Sequence, residues 1–81
     1  MALMKPITTE KAIRMLELEN KITFLVDRRS NKVEIRKELE KAFNVKVKAV
    51  TTHIKRNQKY ATITLKEESP AIDVATKLGL V

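Results

Sequence analysis

Hydrophobic residues return every three to four positions through TEKAIRMLELE (9–19), where Ala12, Met15 and Leu16 share one side and Ile13 and Leu18 lie nearby. That spacing predicts a helix, with Thr8 or Thr9 as N-cap after Pro6. Asn20-Lys21 breaks the pattern, and KITFLVDRR (21–29) alternates as a strand, with Ile22, Phe24 and Val26 facing one way and Thr23, Leu25 and Asp27 the other. SNKVEIRKELEKAFN (30–44) is an amphipathic helix: Ile35, Leu39, Ala42 and Phe43 form an apolar stripe, Asn31 and Glu34 a capping box, and Lys32, Arg36, Lys37, Glu40 and Lys41 a charged face.

The period is two again from Val45, where Val45, Val47 and Ala49 alternate with Lys46, Lys48 and Val50. After the turn, Ala61, Ile63 and Leu65 alternate with Tyr60, Thr62 and Thr64. Both apolar sets share a face if opposed residues have an even sum, such as 49 with 65 or 47 with 67, which centres the turn near Asn57. Asparagine tolerates the left-handed region, so Asn57 can turn a hairpin that contains no glycine. Ser69-Pro70 then reads as N-cap and first helical residue before AIDVATKLG, with Ile72, Ala75 and Leu78 as the stripe and Gly79 as the stop. The order helix, strand, helix, strand, strand, helix gives a split β-α-β unit: one α+β domain spanning residues 1–81, with a small antiparallel sheet packed by helices.

Composition narrows the chemistry. Seventeen Lys and Arg against ten Asp and Glu give a net charge of +7, and a small body with that excess is suited to a polyanion such as nucleic acid. The turn HIKRNQKY (53–60) concentrates Lys55, Arg56 and Lys59. There is no cysteine, so no disulfide, thiolate nucleophile or Cys-based zinc site, and no apolar run approaches the ~18 residues of a membrane span. A soluble, non-exported protein without metal or cofactor is expected. His53 is the one histidine, and the same parity turns it with Ala49 and Thr51 toward the core as a partly buried structural residue. Glu34, Glu38, Glu40, Glu67 and Glu68 are interleaved with lysines and read as solvated. Phosphate-cradling loops need glycines, and the only one is Gly79. An enzyme is therefore disfavoured. So is base reading on sheet aromatics in the manner of RNA recognition motifs: Phe24 and Phe43 belong to the core and no aromatic RNP signature occurs.

PITTEKA (6–12), NKITFLVD (20–27), NKVEIRKELEKAFNVKVKAVTT (31–52) and KYATITL (59–65), in that order, cover nearly the whole chain. Together they resemble the universal large-subunit ribosomal protein of family twenty-three, found beside the polypeptide exit tunnel. The resemblance implies α/β/α layers and a short extra edge strand near residues 5–7. It implies a structural role in the cytoplasmic ribosome, with 23S-type ribosomal RNA and neighbouring large-subunit proteins as partners. It also implies a surface where the signal recognition particle and the protein-conducting channel dock. The short hairpin turn and the absence of a long basic N-terminal tail are similar to archaeal members.

On that resemblance Thr9, Glu10 and Lys11 match the family's Thr/Ser-Glu-Lys, Asn20 its strand-opening asparagine, Lys32 its helix-opening lysine, Thr51 and Thr52 its Asn-Thr pair, and Lys59 its last-strand lysine; Tyr60 departs from a common lysine. The expected RNA contacts are Lys5, Lys11, Lys21, Lys32, Arg36, Lys55, Arg56 and Lys59 on phosphates, with Thr9, Asn20, Thr51 and Thr52 hydrogen bonding. Glu10, Glu17 and Glu19 are the candidate docking surface. A free-standing basic chromatin or RNA-chaperone protein is the alternative.

Overall fold

Asparagines in left-handed backbone set the corners of this molecule. The computed structural model describes residues 2–79, and the non-glycine residues with positive φ are Asn20 (55°), Asn44 (53°), Arg56 (53°) and Asn57 (65°). Asn20 and Asn44 end helices, and Arg56-Asn57 turns the hairpin. Between these corners run β1 (Leu3–Pro6), α1 (Glu10–Glu19), β2 (Lys21–Val26), α2 (Lys32–Phe43), β3 (Val47–Lys55), β4 (Gln58–Leu65) and α3 (Ala71–Lys77). The strands form one antiparallel sheet in the order β1-β2-β4-β3, so β4 lies between β2 and β3 and the unit is a split β-α-β. The edge strand that the resemblance implied is β1, and it starts earlier, at Leu3.

Local chemistry explains the helix starts. The Thr9 hydroxyl accepts from the Ala12 N–H at 3.2 Å, and Asn31 Oδ1 accepts from the Glu34 N–H at 2.9 Å while Glu34 reaches back to the Asn31 N–H. Ile22, Phe24 and Val26 of β2 and Ala61, Ile63 and Leu65 of β4 then meet Leu16, Ile35, Leu39, Ala71, Val74 and Ala75 in one continuous cluster. Ile35 and Leu39 are wholly buried, each contributing about 1.5–3 kcal/mol. Apolar burial is thus on one face of the sheet. The alternate residues Lys5, Leu25, Tyr60, Thr62, Thr64, Ala49, Thr51 and His53 are exposed or half-buried.

The hairpin register departs from simple parity. Val47 opposes Leu65, but an irregularity follows, after which Ala49 opposes Thr64 and Val50 opposes Ile63. One extra residue sends every later side chain of β3 to the other face. Val50 and Thr52 therefore share the core side with Ile63 and Ala61, while Ala49, Thr51 and His53 turn away, and His53 is exposed, contrary to its expected partial burial. Parity presumes an unbroken ladder, and nothing in VKVKAV marks the break.

The last helix starts one residue later than Ser69-Pro70 suggests. Pro70 is the N-cap and makes no side-chain cap bond. Ser69 is buried instead, its Oγ accepting from the Lys46 N–H at 3.0 Å. The buried residues become Ala71, Val74 and Ala75, and Ile72 is left 41% exposed. Ala42 is likewise exposed, off the apolar stripe expected of it. Two carboxylates expected to be solvated are structural. Glu38 Oε2 accepts from the Ala2 and Leu3 N–H groups at 2.6 and 3.0 Å, tying β1 to α2, and Glu40 accepts from the Val47 N–H at 3.1 Å.

Candidate nucleic-acid interface

A two-residue hairpin turn with φ > 0 at both central positions matches the twist of its strands, and glycine or asparagine normally fills it. Here Asn57 meets the requirement and Arg56 does so at a cost, since a Cβ crowds the backbone in that region. Lys55 and Gln58 oppose one another just before the turn. Because β4 pairs with β2 as well, with Lys59 opposite Val26, the residues after Val26 come alongside the turn. Asp27, Arg28, Asn57, Gln58 and Lys59 line one shallow depression together with Met4.

The 27–30 segment is itself a tight turn. Asp27 Oδ1 accepts from the Arg29 N–H at 2.9 Å, and the Asp27 carbonyl accepts from the Ser30 N–H at 3.0 Å. The Lys59 ammonium, half-buried, donates to the Ser30 carbonyl and fastens this turn to the hairpin. Arg28, Arg29, Lys55 and Arg56 are left exposed and join none of the ion pairs among the described residues. Lys32 is exposed at the first position of α2. The far end of the sheet is different: Lys21 pairs with Glu19 at 3.3 Å and Lys46 with Glu68 at 3.7 Å, with Glu67 exposed beside them. The turn end thus carries cations without ion-pair partners, while the far end holds two ion pairs alongside the exposed Lys48 and Lys66.

The expected site residues fall into separate places. Lys55 and Arg56 lie at the turn end with Lys59, whose ammonium is partly committed to Ser30. Lys5 and Thr51 lie on the sheet face away from the core, whereas Thr52 is half-buried on the core side opposite Ala61, so the two threonines project from opposite faces of the sheet. Lys32 and Arg36 flank a shallow groove against Ala49 and Val50, and Arg36 Nε lies 3.7 Å from Glu40. Thr9 and Lys11 are exposed at the start of α1, and Lys21 is half-buried after its end. Glu10 and Glu17 are exposed on α1, seven residues apart and so on one stripe, and Glu19 is paired with Lys21.

Asn20 has an internal task. Its Nδ2 donates to the Leu65, Lys66 and Ser69 carbonyls at 3.1, 3.1 and 3.3 Å, and its Oδ1 accepts from the Ala71 N–H at 2.6 Å. With its amide so engaged, it has little left to offer a ligand. Conversely, Arg28 and Arg29 are absent from the sequence-derived site. Their signal is the split topology, which puts the end of β2 beside the β3–β4 turn.

The sequence model of the family "Ribosomal protein L23" matches residues 1–65, the stretch from the N-terminus through β4. The chain belongs to that family. It is 45% identical over 78 residues to the large ribosomal subunit protein uL23 of Picrophilus torridus, covering 96% of this chain and 95% of that one. To the protein of the same name from Pyrobaculum aerophilum it is 47% identical over 75 residues, covering 91% and 93%. The L23 match ends where the sheet ends, so the basic turn end lies inside the family's stretch and α3 outside it. No described helix is long and apolar enough to cross a membrane.

Proposed function

We propose that this protein is a structural, non-catalytic constituent of the large ribosomal subunit, holding 23S-type ribosomal RNA at the turn end of its sheet. The observation that carries this is the set of four exposed, unpaired cations, Arg28, Arg29, Lys55 and Arg56, at one end of an L23-family domain. Like charges crowded there repel in the free protein and are relieved by phosphates, with release of condensed counterions. Lys5, Lys11, Lys32 and Arg36 extend the phosphate contacts along the flanks, and Thr51, whose hydroxyl donates to the Thr62 carbonyl at 3.3 Å, offers its oxygen as an acceptor to a ribose 2′-hydroxyl. On this reading the protein is cytoplasmic and ribosome-bound beside other large-subunit proteins. Glu10 and Glu17 on one stripe of α1, with Glu19 at the end of that helix, would offer a surface at the tunnel rim for the signal recognition particle and the protein-conducting channel.

The test is binding to deproteinised large-subunit RNA and to random duplex RNA across a salt series. The slope of log affinity against log salt should flatten by about 1.8 in Lys55→Ala/Arg56→Ala, at about 0.9 per phosphate. An unchanged slope removes the turn from the interface. Equal affinity for the random duplex would favour a general nucleic-acid binder instead.

A further inference from the structure

On the sheet face away from the core, one row of opposed residues crosses all four strands: Lys5, Leu25, Tyr60, His53. At its end the rings of His53 and Tyr60 stack, with centroids 5.3 Å apart and planes 19° from parallel. Tyr60 is half-buried, and its hydroxyl donates to Gln58 Oε1 at 2.8 Å, which holds the phenol ring by its edge. His53 is exposed, and because β3 is the outer strand, no strand flanks it on the side away from Tyr60. Its neighbours on the same face are Thr51 and Lys55, the latter about 7 Å along the strand, within the reach of one nucleotide.

A flat ring braced from behind, open in front and next to unpaired cations suits a π-faced anionic polymer. Stacking accepts any base, so it needs no aromatic signature of the kind that sequence-reading domains carry. A purely structural cross-strand pair would be served as well by two apolar rings and would gain nothing from an exposed outer face. We infer that His53, backed by Tyr60, is a stacking platform for one unpaired nucleobase of the bound RNA, with Lys55 and Arg56 holding the adjoining phosphates. This rests on the RNA-binding reading above and adds a contact to a base.

The probe is a short oligouridylate carrying one 2-aminopurine, compared with duplex RNA of equal length, using the full chain. The wild-type protein should change the 2-aminopurine fluorescence on binding. His53→Ala should weaken binding to this probe by about fivefold to a hundredfold, leaving the duplex affinity and the salt slope unchanged. His53→Phe should restore both signal and affinity, since it keeps a ring without the imidazole. Wild-type behaviour of His53→Ala overturns the platform, as does rescue by His53→Lys but not by His53→Phe, which would make the contact one of charge. If these variants leave binding to deproteinised large-subunit RNA intact and the fluorescence never responds, the platform alone fails. Loss of preference for that RNA over random duplex would instead sink the RNA reading of the previous section.

Discussion

Asn20 joins three elements through one side chain. In left-handed backbone it ends α1, and its amide then binds the carbonyls that follow β4 and the first N–H of α3, 51 residues away in sequence. Its backbone and side-chain contributions are separable. Asn20→Gly keeps the positive φ and loses the amide, at a cost of about 2 kcal/mol. Asn20→Ala loses both, at about 1 kcal/mol more. Urea denaturation of the two variants should show that order, and equal costs would mean that the left-handed conformation is not strained by a Cβ. From sequence, the family resemblance made this strand-opening asparagine a candidate for an RNA contact, because nothing local reveals that residues 65–71 fold back onto it.

Among the elements, the β3–β4 hairpin is the one in which the demands of folding and of binding oppose each other. Arg56 occupies a φ of 53°, where glycine is at ease and arginine is not. Arg56→Gly should therefore stabilise the free protein by about 1 kcal/mol, raising Tm by about 4–8 °C, while flattening the RNA salt slope by about 0.9. Calorimetry and binding on the same preparation check both halves; a lower Tm would show that the turn is not strained at Arg56. The hairpin also shows how far periodicity reaches. Its two strands, its turn at Asn57 and its basic character follow from local spacing and composition. The bulge after Val47 does not, and with it went the face of His53.

The whole molecule carries a net charge of +7, and four of its exposed, unpaired cations, Arg28, Arg29, Lys55 and Arg56, meet where the 27–30 turn joins the hairpin. Salt should then act in opposite directions on the free and bound protein. Raising ionic strength toward 0.15 M, where the Debye length is about 8 Å, relieves self-repulsion and should raise Tm. The same change should weaken RNA binding. A Tm that falls with added salt would mean that the existing ion pairs, and not the crowded cations, dominate the electrostatics. The order of elements from α1 to α3, the α+β class, the capping of α1 and α2 and the polyanion-seeking charge were determined by the sequence, since each depends on residues within a few positions of one another or on their sum; β1 shows no periodicity of its own and was implied only by the family resemblance. The tertiary structure alone decided which residues face outward together. Arg28 and Arg29 join Lys55 and Arg56 because β4 inserts beside β2, and Glu38 binds β1 because α2 crosses back to the N-terminus. His53 meets Tyr60 in the open because one extra residue in β3 inverts its faces. These are contacts between distant segments, fixed by how strands pair and slip, and no local spacing encodes them.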